Sequence, residues 1–127
     1  MPIDINKVFL VGIVDGDPRV VMGRTKKIAI LKVRTWDRDD ETGKNRYETH
    51  TVVLVPPRMI AMVEKSVKGG AAVLVEGRLE ARPDHKLGWV TEVQVKRTGM
   101  GHFAVLRAAG ILTSQRRIDY VRDEYPA

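Results

Sequence analysis

The chain has 127 residues, the size of one domain, and its 43% hydrophobic and 30% charged residues are ordinary for a folded protein. Lys and Arg number 22 against 16 Asp and Glu, a net charge of +6 that points to a polyanionic partner. With no Cys, a disulfide scaffold, a Cys-ligated zinc site and a thiol nucleophile are excluded. No apolar run approaches the roughly 18 residues of a membrane span. The opening MPIDINKVFLVG has no basic leader, so the expectation is a soluble, cytoplasmic, nucleoid-associated protein.

In chain order, residues 5–14 are rich in Ile and Val and read as a strand, closed by the turn DGDP at 15–18. KKIAILKVRTW at 26–36 reads as the second strand. Its period of two puts Ala29, Leu31, Val33 and Thr35 on a core face, and Ile28, Ile30, Lys32, Arg34 and Trp36 on the other. Two cations beside an indole suit an outward face. The polar DRDDETGKNR at 37–46 reads as a hairpin with Gly43 at its tip, and YETHTVVLV at 47–55 as the third strand.

Pro56 and Pro57 stop that strand and open a helix, in which Met59, Ile60, Val63 and Val67 form one apolar stripe ended by Gly69 and Gly70. Residues 71–82 make the fourth strand, PDHKLG a loop, and residues 89–96 the fifth strand. Five strands with one short helix between the third and fourth give an all-β, five-stranded OB-fold barrel. This domain spans 1–98. In the extension 99–127, Phe103, Leu106, Ala108 and Ala109 fall at helical spacing, so either a helix packed on the barrel or an oligomer arm fits.

The positive charge is concentrated. Residues 18–36 hold Arg19, Arg24, Lys26, Lys27, Lys32 and Arg34 with no Asp or Glu. A lone Trp in a strand is often core, but sharing an alternation with Lys32 and Arg34 favours Trp36 as a base-stacking surface. Lys32 and Arg34 read as phosphate contacts, while Arg24 and Lys26 are candidate contacts at the strand end. Asp37, Asp39 and Glu41 alternate as in a calcium loop, yet the Gly falls at the wrong place, so a polar hairpin is the reading. His50, His85 and His102 have no metal spacing. Ser66 and Ser114 sit in no nucleophile setting and there is no phosphate-cradling Gly loop. Neither catalysis nor a cofactor or metal is expected, and a nuclease would need a carboxylate cluster on the barrel.

Five segments together resemble the bacterial single-stranded DNA-binding protein family: INKVFLVGIVDGDPRV at 5–20, the strand ending at Trp36, THTVVL at 49–54, KGGAAVLVEGRLEAR at 68–82 and WVTEVQV at 89–95. The resemblance implies an OB-fold that assembles as a homotetramer or homodimer. It also implies single-strand binding by stacking and phosphate contacts, in replication, recombination or repair. Trp36 matches a stacking Trp, Lys7 and Arg82 match recurring basic positions, and Arg78 on the same strand joins them as a candidate contact. His50 matches a His at the family's subunit interface.

The departures are specific. Thr49 stands where the family has a Trp, Val55 where it has a Phe, and Pro83 and Asp84 where another Trp is frequent. Tyr47 and Trp89 are the rings that can substitute; either can instead close the barrel or sit at a subunit contact. The chain closes on HFAVLRAAGILTSQRRIDYVRDEYPA rather than the family's flexible linker and acidic, Phe-ending tip. These departures also fit a primosomal-type OB-fold adaptor, which acts through contacts with replication proteins.

Overall fold

A computed structural model describes residues 4–96 and 101–106. Its elements in chain order are β1 (Val8–Val14), β2 (Arg19–Met22), β3 (Lys27–Arg38), β4 (Asn45–Leu54), α1 (Pro57–Ser66), β5 (Ala72–Asp84), β6 (Gly88–Val95) and β7 (His102–Leu106). The strands β1, β3, β4, β6 and β5 hydrogen-bond in that order, and β1 returns to pair with β5, closing a five-stranded barrel. All pairings in the ring are antiparallel except β4 with β6, which run parallel. The helix enters between the third and fourth strands of the ring, as the apolar pattern predicts.

Alternation decides what the barrel encloses. Ala29, Leu31 and Val33 are fully buried, as are Val52 and Leu54 opposite them on β4. Val73, Val75, Val93 and Val95 fill the rest, and Met59, Ile60 and Val63 of α1, with Val67 just beyond it, pack into the same core. Each buried Val or Leu contributes about 1.5–3 kcal/mol relative to an exposed one, so this alternation holds the ring shut. The helix ends at Ser66, with Val67 already extended, two residues before the glycines.

At Ile13, β1 pairs with both β5 and β3, and a Cβ on the preceding Gly12 would stand 2.3 Å from the Arg34 carbonyl oxygen. Only glycine permits that approach. Just before β1, the side chain of Asn6 extends the ladder: its Nδ2 donates to the Leu79 carbonyl (2.9 Å) and its Oδ1 accepts from the Leu79 N–H (2.8 Å).

Two strands lie outside the sequence reading. β2, RVVM, pairs antiparallel with β3 across the Gly23–Lys26 turn; four residues are too short to display a period. β7 corrects the helical reading over residues 102–106. It pairs antiparallel with β5, with Phe103 opposite Val75 and buried in the core. A three-residue interval between Phe103 and Leu106 fits a helix by spacing, but the unsatisfied N–H and C=O groups along β5 select a strand. Ala108, Ala109 and the rest of the extension from 107 lie outside the described residues.

The hairpins are tighter than the polar runs suggest. β3 and β4 continue to Arg38 and Asn45, and β5 and β6 to Asp84 and Gly88. The first turn has Gly43 at φ +70°, and the Gly43 N–H donates to the Asp39 carbonyl (2.8 Å). Among the described residues no helix is long and apolar enough to cross a membrane.

Candidate nucleic-acid interface

The register of β3 against β4 builds the site. Lys32 faces Thr51, Arg34 faces Thr49, and Trp36 faces Tyr47, all on the outward side. Opposed residues share a face and lie within side-chain reach, so six side chains form a two-by-three array. Lys32 Nζ donates to Thr51 Oγ1 (2.9 Å), which holds the ammonium against the sheet. Arg34 reaches diagonally past Thr49, and its guanidinium carbon lies over the Tyr47 ring, 4.8 Å from the centroid. Trp36 is half-buried and Tyr47 39% exposed, so the aromatic pair is open to a ligand from outside.

Where the outward row of β3 turns apolar, at Ile30 and Ile28, a groove of about 750 Å³ opens, with Val53 and Val55 also in its floor. Arg24 and Lys26, on the β2–β3 turn, line one rim. Lys96 lines it as well, with Nζ 2.8 Å from Glu80 Oε1. Sequence reasoning passed over Lys96 and Thr51; their signal is their place on the outward parity of β6 and β4.

Arg82 also lines the groove, but it is engaged: Nε lies 2.9 Å from Glu92 Oε1, and NH1 3.8 Å from Asp84 Oδ2. The hydrogen bond to Glu92, then its charge and that of Asp84, hold the guanidinium even more firmly protonated than usual. Glu92 is the one buried charged side chain among the described residues. Two carboxylates, Asp39 and Asp84, are held below the ordinary range by backbone N–H donors. Asp39 accepts from Glu41 in the β3–β4 turn, and Asp84 from Lys86 and Leu87 in the β5–β6 turn.

The remaining sequence candidates fall elsewhere. Arg78 is exposed on the outward side of β5, opposite Gln94. Lys7 pairs with Glu76 (3.0 Å) on the β1–β5 side of the barrel. Trp89 is 70% exposed, but its alternation groups it with Val93 and Val95, opposite in sense to Glu92 and Gln94, so it does not share the Trp36 face. His50 stands opposite Val33 on the inward side, half-buried, with Nε2 2.8 Å from Thr35 Oγ1. Among the described residues no group of His, Asp and Glu could hold a metal ion.

The fold and sequence have relatives. Solved structures similar to this chain include a Plasmodium falciparum SSB in complex with ssDNA. Its TM-score is 0.74 at 21% identity, over 84% of this chain and 99% of that one. A deletion mutant of the single-stranded DNA binding protein from Thermus aquaticus matches with a TM-score of 0.65 at 24% identity, over 81% of this chain and 51% of that one. Single-stranded DNA-binding proteins of Rickettsia felis and Rhizobium meliloti are 37% and 38% identical over 83 and 84 residues, 61% of this chain in each case. The chain matches 55% and 48% of their lengths, about half of each relative. The model of the single-strand binding protein family matches residues 5–100, and the chain belongs to that family.

Proposed function

We propose that the protein binds single-stranded DNA without catalysis, serving replication, recombination or repair at the nucleoid of the cytoplasm. The observation that carries this reading is the outward array of Lys32, Arg34, Trp36 and Tyr47, continuous with a groove rimmed by Arg24 and Lys26. Bases stack on the aromatic face while cations meet phosphates, the combination by which single strands are held without sequence readout. Arg78 and Arg82 extend the cationic path across β5, with Arg82 kept in place by Glu92. Lys7 and Trp89 would meet a strand only where it continues beyond the β3–β4 face.

Titration with oligo-dT at low salt tests the proposal. Tryptophan fluorescence is expected to quench, with Trp89→Phe retaining the quenching and Trp36→Phe losing it. Affinity should fall with salt at a slope of about −0.7 per phosphate contacted, as counterions are released. Absence of quenching in the intact protein overturns the reading and favours the adaptor role.

A second copy of the chain fits the other outward face. Phe9 is 62% and Val11 40% exposed on β1, beside the cluster of Leu74 and Leu106 with Ala72 and Ala104. An apolar patch of this kind marks an interaction surface, and we infer a homodimer or homotetramer built on it. For His50, bonded to Thr35 within the chain, the resemblance implies a subunit-interface position.

A further inference from the structure

We propose that Arg34, held over the ring of Tyr47, is a stacking platform for a base rather than a phosphate contact. This deepens the reading above and rests on it. Three features of the β3–β4 face carry the inference. The first is placement: Arg34 lies two residues from Trp36 on the same face, about 6.7 Å along the strand. Neighbouring bases of one strand can therefore each meet a platform.

The second is what holds the guanidinium there. Its directly opposed residue is Thr49, whose short side chain leaves the diagonal to Tyr47 open, and the guanidinium carbon sits over that ring at 4.8 Å. A guanidinium is planar, weakly hydrated and stacks on π faces, which an ammonium does not reproduce. Tyr47 is thus a positioning residue: it keeps the Arg34 plane on the sheet instead of leaving the side chain to follow solvent or phosphate.

The third is the division of labour among the cations. Lys32 is exposed, and Arg24 and Lys26 are exposed at the groove rim, where a phosphate keeps part of its hydration. Arg34 is half-buried in the interior of the array, between the aromatic pair and Lys32. That is where bases, and not the strand's backbone, come to rest if Trp36 stacks one.

The test is the conservative substitution Arg34→Lys, which keeps the charge and removes the plane. Affinity for oligo-dT is expected to fall about tenfold, the range of one lost base stack, while the salt slope stays at its wild-type value. Wild-type affinity in Arg34→Lys overturns the inference, and so does a reduced salt slope. Tyr47→Phe should bind as wild type and Tyr47→Leu should weaken binding as Arg34→Lys does. The double variant Arg34→Lys/Tyr47→Leu should be no weaker than either single one, because both remove one platform; additive losses overturn the shared platform. Equal thermal midpoints across the set show that folding is intact. If the wild-type protein itself fails to quench with oligo-dT, the single-strand reading fails first, an outcome distinct from a wild-type-like Arg34→Lys.

Discussion

On the outer side of β3 and β4, Lys32, Arg34, Trp36 and Tyr47 stand in a row of charge and aromatic surface. On the outer side of β1, β5 and β7, Phe9 and Val11 are exposed, beside the buried Leu74 and Leu106 and the partly buried Ala104. Both faces belong to one sheet and both back onto the same Val and Leu core. The inward residues are nearly interchangeable between the two halves; the outward ones are not. The difference teaches that the barrel is a neutral support, on which each half can turn a different chemistry outward. A polar aromatic face suits a polyanion with stackable bases, while an apolar face suits another apolar surface.

Reversing the apolar face should give the largest effect. Phe9→Asp with Val11→Lys places charge where the second copy is proposed to sit, and the mass read by light scattering is expected to fall to that of a single chain. Quenching by oligo-dT at Trp36 should survive, because the two faces do not share residues. An unchanged mass would sink the assignment of that face. Loss of quenching together with mass would show that the faces are coupled.

Next in size is Trp36→Ala. Removing one stacking surface is expected to cost about 1–3 kcal/mol of binding, several-fold to a hundredfold in affinity, with mass unchanged. Lys32→Ala should do less: the salt slope should drop by about 0.7, the share of one single-strand phosphate contact. Its bond to Thr51 contributes little to folding at so exposed a site, so the thermal midpoint should barely move.

How far these faces were legible in the sequence follows from the range of the interactions. The inward set Ala29, Leu31 and Val33 and the outward set Lys32, Arg34 and Trp36 come from alternation within β3, and the structure buries the first set fully. The helix stripe of Met59, Ile60 and Val63 is equally local and equally visible. By contrast, the contact of Arg34 with Tyr47 depends on the register between two strands, which the turn from Asp39 to Lys44 sets. A slip of one residue would carry Tyr47 to the inward side, and composition says nothing about that choice. β7 was hidden for a similar reason: Phe103 is selected as a strand residue by pairing with Val75, 28 positions earlier in the chain. Phe9 and Val11 resemble core residues in any strand pattern, and only the closed ring shows that they face outward.

The turn that fixes the polar face supplies the smallest predicted effect. The Asp39 carboxylate accepts the Glu41 N–H at 2.9 Å, which holds its pKa below the ordinary value. A group lowered in this way stabilises the fold fully above its unfolded pKa near 3.9. That contribution is lost as pH falls through the lower folded value. Below about pH 4, backbone amides around Asn45 to Tyr47 should therefore lose hydrogen-exchange protection, while those pairing β1 with β5 keep theirs. In Asp39→Asn the side-chain oxygen still accepts the bond but no longer titrates, so the local pH dependence should flatten. If protection falls equally at both places, the turn does not control the β3–β4 register independently. The polar face would then be fixed by the core, as the apolar face is.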